Sequence, residues 1–133
     1  MLKKRIFSLA FLGWVIAITA LSLVSFSSLD TGQIDIPYAD KITHFTFYFV
    51  FALLACLFLR ERTGGKIKLS TALTISVLLA IGYGIFIEVL QYTITEDRMA
   101  EFGDILANTI GAFLGIALIK WCFSKERPLK WKI

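Results

Sequence analysis

Four long apolar stretches dominate the pattern of hydrophobic and polar positions in this chain. Asp, Glu, Lys and Arg are absent from residues 6–29, 42–59, 69–87 and 105–119. A helix that crosses a bilayer needs about 20 mostly apolar residues at a rise of about 1.5 Å each, and the first three stretches meet this length. The fourth is extended by residues 121–123, because Lys120 can snorkel to the interface. The pattern predicts four transmembrane helices, at about 6–29, 42–59, 69–91 and 104–123.

Two other interpretations of the apolar stretches are disfavoured. Buried helices of a soluble bundle need polar outer faces, and residues 6–29 show none. Lys3, Lys4 and Arg5 would suit a signal peptide, but the following stretch exceeds the usual apolar core of about 7–15 residues, and the cleavage pattern at residues 25–27 is weak. We therefore expect an uncleaved first helix and one all-α membrane domain over residues 1–133.

Composition supports the membrane class, and the placement of charge predicts an orientation. The chain is 57% hydrophobic and 18% charged, with a net charge of +4. Of the 14 Lys and Arg residues, 12 lie before the first stretch, between the second and third, or after the fourth; only Lys41 and Arg98 lie elsewhere. The positive-inside rule then places both termini and the 60–68 loop in the cytoplasm. The positive charge thus indicates contact with anionic membrane lipids and argues against nucleic acid as a partner.

Polar residues inside the apolar stretches are predicted to meet at one depth, below the outer membrane surface. His44 lies one turn into the second helix, and Asn108 one turn into the fourth. Glu88 follows Leu69 by 19 residues, roughly 29 Å of helix, which returns it to the same level. An intramembrane carboxylate costs about 2.5–3.5 kcal/mol on insertion scales, so Glu88 should have a partner. His44, Lys41 and Arg98 are the candidates.

These polar residues also share helix faces with one another and with small residues. Helical spacing aligns three series: Asp40, His44 and Tyr48; Gly84, Glu88 and Gln91; and Asp104, Asn108, Gly111 and Gly115. Glycines four residues apart allow close helix approach in lipid. We therefore predict that the fourth helix packs on the second or third through its glycines, that the polar groups point inward, and that a second copy of the chain is a further candidate partner for the same glycines.

Simpler roles remain open for several of these side chains. Charged residues close to water are common at membrane interfaces, which would explain those at positions 40, 41, 96, 97 and 101. Asp104 could serve as the N-cap of the fourth helix. His44 could do no more than satisfy a polar neighbour.

Taken in order, the motifs resemble the VanZ-like family of small bacterial membrane proteins. The matching pieces are "DKITHFTFYF", "GIFIEVLQ" and "RMAEFGDILANTIGAFLG", which span residues 40–116. One departure is Glu96-Asp97, where family members often have Pro-Gly before the arginine. The resemblance implies a multi-pass protein of the bacterial cytoplasmic (inner) membrane, with a link, in the family's namesake, to low-level resistance to the glycopeptide teicoplanin.

Three functions are compatible with the polar cluster, and none requires a cofactor. The first is binding of a lipid headgroup or a lipid-linked, phosphate-bearing envelope precursor, with Lys41 and Arg98 for phosphate. The second is an enzyme acting on a lipid-linked substrate, with His44 and Glu88 as the catalytic acid–base pair and oxygen ligands for a divalent metal at Asp40 and Asp104. The third is a small transporter with His44 and Glu88 as a proton relay. The predicted substrate-binding residues are Asp40, Lys41, Tyr48, Gln91, Arg98, Asp104 and Asn108.

Overall fold

Four helices make up the fold. The computed structural model describes residues 5–23, 38–94, 101–126 and 128–133. The helices are α1 (Ile6–Leu23), α2 (Ala39–Arg62), α3 (Leu69–Ile94) and α4 (Phe102–Cys122), and the described residues contain no strand. Each helix is long and apolar enough to cross a membrane. The predicted all-α fold with four membrane-spanning helices is therefore confirmed.

The helix bounds differ modestly from those predicted. At both ends α2 continues by about one turn beyond its charge-free stretch, and α3 continues to Ile94. Charged and polar residues can occupy these extra turns because helix ends reach the water at the membrane surface. Residues 24–29, predicted as the end of the first helix, lie outside the described residues.

A tight turn joins α2 to α3, and glycines make it feasible. Gly64 and Gly65 have φ angles of +59° and +73°, in the left-handed region that residues with a Cβ rarely adopt. The Gly65 amide donates to the Arg60 carbonyl at 2.8 Å, which closes the end of α2. The two helices consequently run antiparallel, and the C-terminal end of α3 lies beside the N-terminal end of α2.

The closest helix pair is α2 and α4, and two glycines bring them together. A Cβ added at Gly111 would collide with the Phe45 carbonyl oxygen, and one added at Gly115 would lie 2.6 Å from the Phe49 carbonyl oxygen. Both glycines are buried. The predicted packing of α4 through these glycines is confirmed, with α2 as the partner. In this structure α2 occupies the face of α4 that carries both glycines. A second copy of the chain as a further partner for them stays a prediction.

Helix α1 packs against α2 and α3 and completes the bundle. Trp14 Nε1 donates to the Phe47 carbonyl at 3.0 Å, and the hydroxyls of Thr19 and Tyr83 are hydrogen-bonded to each other.

The bundle has two chemically distinct ends. We call the end that holds Asp40, Glu88 and Asp104 the acidic end, and the opposite end, which holds residues 60–69 and 120–133, the basic end.

Candidate functional site

Three helices bring polar side chains together at the acidic end. His44 comes from α2, Glu88 from α3, and Asp104 and Asn108 from α4. Their exposed fractions are only 7%, 2%, 8% and 2%. Each lies on the inward face of its helix. Residues three to four apart share one helix face, so the polar residues that recur at this spacing all lie on that side. We call these four residues the buried cluster.

His44 lies at the centre of the buried cluster. Its Nδ1 is 3.0 Å from Asn108 Oδ1 and 3.8 Å from Glu88 Oε1, and its Nε2 is 3.6 Å from Asp104 Oδ2. An amide oxygen only accepts hydrogen bonds, so in the tautomer with a proton on Nδ1 the ring donates to Asn108. On the other side of the ring, Nε2 faces the Asp104 carboxylate.

Lys41 connects the buried cluster to the surface. Its ammonium group is within ion-pair distance of three carboxylates: 2.8 Å from Asp40, 2.6 Å from Glu101 and 2.7 Å from Asp104. Asp104 therefore uses one oxygen for Lys41 and turns the other toward His44. The N-cap of α4 is Glu101 rather than Asp104, so the N-cap role considered for Asp104 is wrong. Its side chain points inward because Lys41 and His44 lie there.

The remaining predicted site residues lie in different environments. Tyr48 is buried one turn further along α2, and its hydroxyl has no hydrogen-bond partner among the described residues. The same holds for Asn108 Nδ2. Gln91 is also buried, and its amide donates to the Ser22 carbonyl on α1 at 2.8 Å. Arg98 lies outside the described residues.

An open cleft of about 450 Å³ leads to the buried cluster between α1 and α2. His44 forms part of its wall, so one side chain belongs to both the cluster and the cleft. Most of the lining area is apolar, and a few polar groups lie at the acidic end. The lining residues are Leu21, Ser22, Ala39, Asp40, Thr43, His44 and Phe47. A ligand with a polar head and an apolar body matches this distribution.

Two sets of side chains have the chemistry of cation ligands. His44, Glu88 and Asp104 each offer one ligand atom, and these atoms lie within 4.8 Å of one another. A mixed nitrogen and oxygen set of this kind suits a transition metal such as zinc. Asp40, Glu101 and Asp104 form the second set. There the Lys41 ammonium group already lies between the carboxylates, so a metal bound by Asp40 and Asp104 would have to displace it.

Sequence reasoning underestimated Glu101 and did not identify Ser22 or Thr43. Glu101 precedes Asp104 by three residues, a spacing that puts both on one helix face and could have indicated a shared partner. Ser22 and Thr43 contribute to the cleft because α1 packs beside the start of α2. No periodicity in either helix indicates that neighbour, so local sequence offered no signal for them.

Comparison with known families assigns nearly the whole chain to one protein family. The family model described as VanZ/LLP1 matches residues 2–123, nearly the entire sequence. Searches of curated proteins and of solved structures found no match. The match covers all four helices and every residue of the buried cluster, so the chain belongs to the VanZ/LLP1 family of multi-pass membrane proteins.

Proposed function

We propose that this protein binds the headgroup of a membrane lipid, or of a lipid-linked precursor of the cell envelope, at its acidic end. One observation carries the proposal: His44 belongs both to the buried cluster and to the wall of an open cleft. Ionisable side chains within membrane-spanning helices are rare and mark ligand or ion sites. A mostly apolar cleft with a few convergent polar groups is the usual form of a ligand site.

The charges near the cleft favour a particular headgroup chemistry. Lys41 is already engaged by three carboxylates, which reduces its attraction for a phosphate. The cleft wall instead offers acceptors, namely the Asp40 carboxylate, the Thr43 hydroxyl oxygen and the His44 ring. These groups suit a headgroup that carries amino or hydroxyl groups. Of the two residues that the sequence suggested for phosphate, Arg98 would then contribute more than Lys41.

The proposal includes an orientation in the membrane. With both termini and the 60–68 loop in the cytoplasm, the acidic end lies under the outer leaflet of the bacterial cytoplasmic membrane. Envelope precursors are displayed on that side once they have crossed the bilayer. The remaining predicted binding residues, Tyr48, Gln91, Asp104 and Asn108, would shape and support the site from within the bundle.

Lipids that co-purify with the protein provide the test. Glu88→Gln preserves the shape of the side chain and removes its ionisable carboxyl group, and Glu126→Gln makes the same change at an exposed position of the basic end. We expect mass spectrometry to find a lipid enriched with the wild type and with Glu126→Gln, and depleted with Glu88→Gln. Equal lipid profiles for three monodisperse proteins would contradict the proposal.

A link with glycopeptide resistance forms a separate part of the proposal. A protein that binds an envelope precursor on the outer face should change the access of teicoplanin to its target. We expect cells that produce the wild type to tolerate more teicoplanin than cells that produce Glu88→Gln at the same level. Identical susceptibility would remove the resistance link and leave lipid binding to be judged by co-purification.

The position of the His44 ring favours an enzyme as the second candidate. Asn108 Oδ1 lies 3.0 Å from Nδ1, and Nε2 lies 3.6 Å from an Asp104 oxygen. This arrangement resembles that of a general acid–base with an orienting partner, and Glu88 would share the proton. The enzyme predicts that the co-purifying lipid is chemically altered by the wild type, and that His44→Gln retains the lipid unaltered. A wild type that retains the lipid without change supports the binding protein.

A further inference from the structure

A second cleft, at the basic end, lies far from the buried cluster along the bundle. Its volume is about 640 Å³, and it is formed where residues 128–133 fold back against the turn between α2 and α3. Five lysines line it together with Trp131: Lys66, Lys68, Lys125, Lys130 and Lys132. No acidic residue is among the lining residues that the structure describes. We call it the lysine cleft.

Specific contacts hold the folded-back segment in place. Arg60 donates from Nε to the Trp131 carbonyl and from a terminal nitrogen to the Lys130 carbonyl, each at 2.8 Å. Trp131 Nε1 donates to the Ile67 carbonyl at 2.7 Å. The Trp131 ring packs edge-on against Phe123, with 5.3 Å between ring centroids. The segment is thus attached to both α2 and the following turn by its backbone and by one aromatic side chain.

Gly65 permits this close approach. A Cβ at Gly65 would lie 2.7 Å from the Ile133 nitrogen and 2.9 Å from the Trp131 carbonyl oxygen. The turn and the folded-back segment therefore pack backbone to backbone. Lys130 and Lys132, which flank Trp131, are brought by this packing to the same cleft as Lys66 and Lys68.

The charges of the lysine cleft indicate what it binds. Like charges held around one cavity repel one another, and an anion between them relieves the repulsion. The cleft also contains Ile67 and Leu69, and Leu69 begins the membrane-spanning helix α3. It therefore opens where the helix leaves the membrane, beside a tryptophan of the kind that marks the membrane interface. Phospholipid phosphates lie at that level.

We propose that the lysine cleft is a binding site for the headgroup of an anionic phospholipid. The lysines would contact the headgroup phosphate, and Trp131, Ile67 and Leu69 would contact the glycerol and the first carbons of the acyl chains. Basic pockets beside membrane helices bind anionic headgroups in this way. The site is separate from the proposed function, since it shares no residue with the buried cluster or its cleft.

The test compares two sets of variants with equal charge. One replaces Lys68, Lys130 and Lys132 with glutamine; the control replaces Arg5, Arg62 and Lys120, exposed residues that lie outside the lysine cleft. Each protein is reconstituted in phosphatidylcholine nanodiscs that contain a small fraction of phosphatidylglycerol, and bound lipid is counted by native mass spectrometry after release. We expect the lysine variant to lose about tenfold or more of its preference for phosphatidylglycerol. Equal losses in the two variants would mean diffuse attraction and would overturn the proposal.

Trp131→Leu tests whether the folded-back segment builds the site. It leaves every charge in place but removes the hydrogen bond to Ile67, so we expect the preference for phosphatidylglycerol to fall toward that of the lysine variant. An unchanged preference in a folded Trp131→Leu protein would refute the role of the segment. Inorganic phosphate and glycerol phosphate are added as soluble competitors. If millimolar amounts displace the lipid completely, the cleft is a site for free phosphate and the lipid assignment is wrong.

Discussion

His44 is the residue on which the acidic end is organised. Its ring contacts α4 through Asn108 and lies within 3.8 Å of a carboxylate from α3 and one from α4. Because Asn108 holds the Nδ1 side of the ring, Nε2 is directed toward Asp104. A single contact between two buried side chains thus fixes the orientation of the His44 ring.

Replacement of Asn108 by leucine should show how much this hydrogen bond contributes to the free energy of unfolding. The substitution keeps the approximate size of the side chain and removes the acceptor for His44 Nδ1. Hydrogen bonds between membrane helices contribute about 0.6 to 2 kcal/mol, so we expect the free energy of unfolding to fall by an amount in that range. Thr109→Val is the control, since the Thr109 hydroxyl bonds only to the Ile105 carbonyl of its own helix among the described residues. Reversible unfolding in detergent would measure both, and equal stability of the two variants would contradict a structural role for Asn108.

Among the helices, the contact between α2 and α4 carries the site. His44 and Asn108 meet because the backbones approach closely one and two turns further along α4, at Gly111 and Gly115. Inside the bilayer, apolar side chains gain no hydrophobic free energy by moving from lipid to a helix interface. Such close contact therefore depends on the packing of small residues. The glycines and the polar residues therefore form one continuous face of α4.

Gly111→Ala should loosen this contact. The added methyl group would collide with the Phe45 carbonyl, and overpacking of this kind costs about 1–3 kcal/mol. Gly82→Ala in α3 is the matched control, because nothing lies within 4 Å of its added Cβ. We expect a lower melting temperature for Gly111→Ala and an unchanged or higher one for Gly82→Ala, since alanine favours helix. Equal melting temperatures would show that the close approach is unimportant.

The whole molecule has an acidic end and a basic end, separated by apolar helices. Of the chain's 14 Lys and Arg residues, 12 belong to the terminal segments or to the 60–68 region. Such asymmetry orients membrane proteins as they insert. The proposed lipid sites follow from it, one at each surface of the membrane.

Cysteine labelling tests the orientation. In a background with Cys56→Ala and Cys122→Ser, single cysteines at Thr93 and Glu126 report on the acidic and the basic end; both positions are exposed. We expect a membrane-impermeant maleimide added to intact cells to label Thr93→Cys, and Glu126→Cys only after lysis. The opposite pattern would invert the topology and place the acidic end in the cytoplasm.

Spans, depths and inward faces could be predicted from the sequence for a physical reason. A membrane helix has a fixed rise and periodicity, and the bilayer limits where it begins and ends, so the level and face of His44, Glu88 and Asn108 follow from residue spacing alone. The glycine spacing in α4 likewise indicated close packing. In each case the property belongs to a single helix and to the membrane around it.

Which residues of different helices contact one another is decided by the tertiary structure. Three carboxylates surround Lys41 because the starts of α2 and α4 are adjacent, and Gln91 reaches the Ser22 carbonyl because α1 packs beside α3. Likewise, Arg60 holds Trp131 from 71 residues away, which assembles the lysine cleft. Spacing within one helix does not specify which helix lies next to it, because many arrangements of four helices bury the same faces. Only the packed bundle selects among them, and it does so through contacts between residues far apart in the chain.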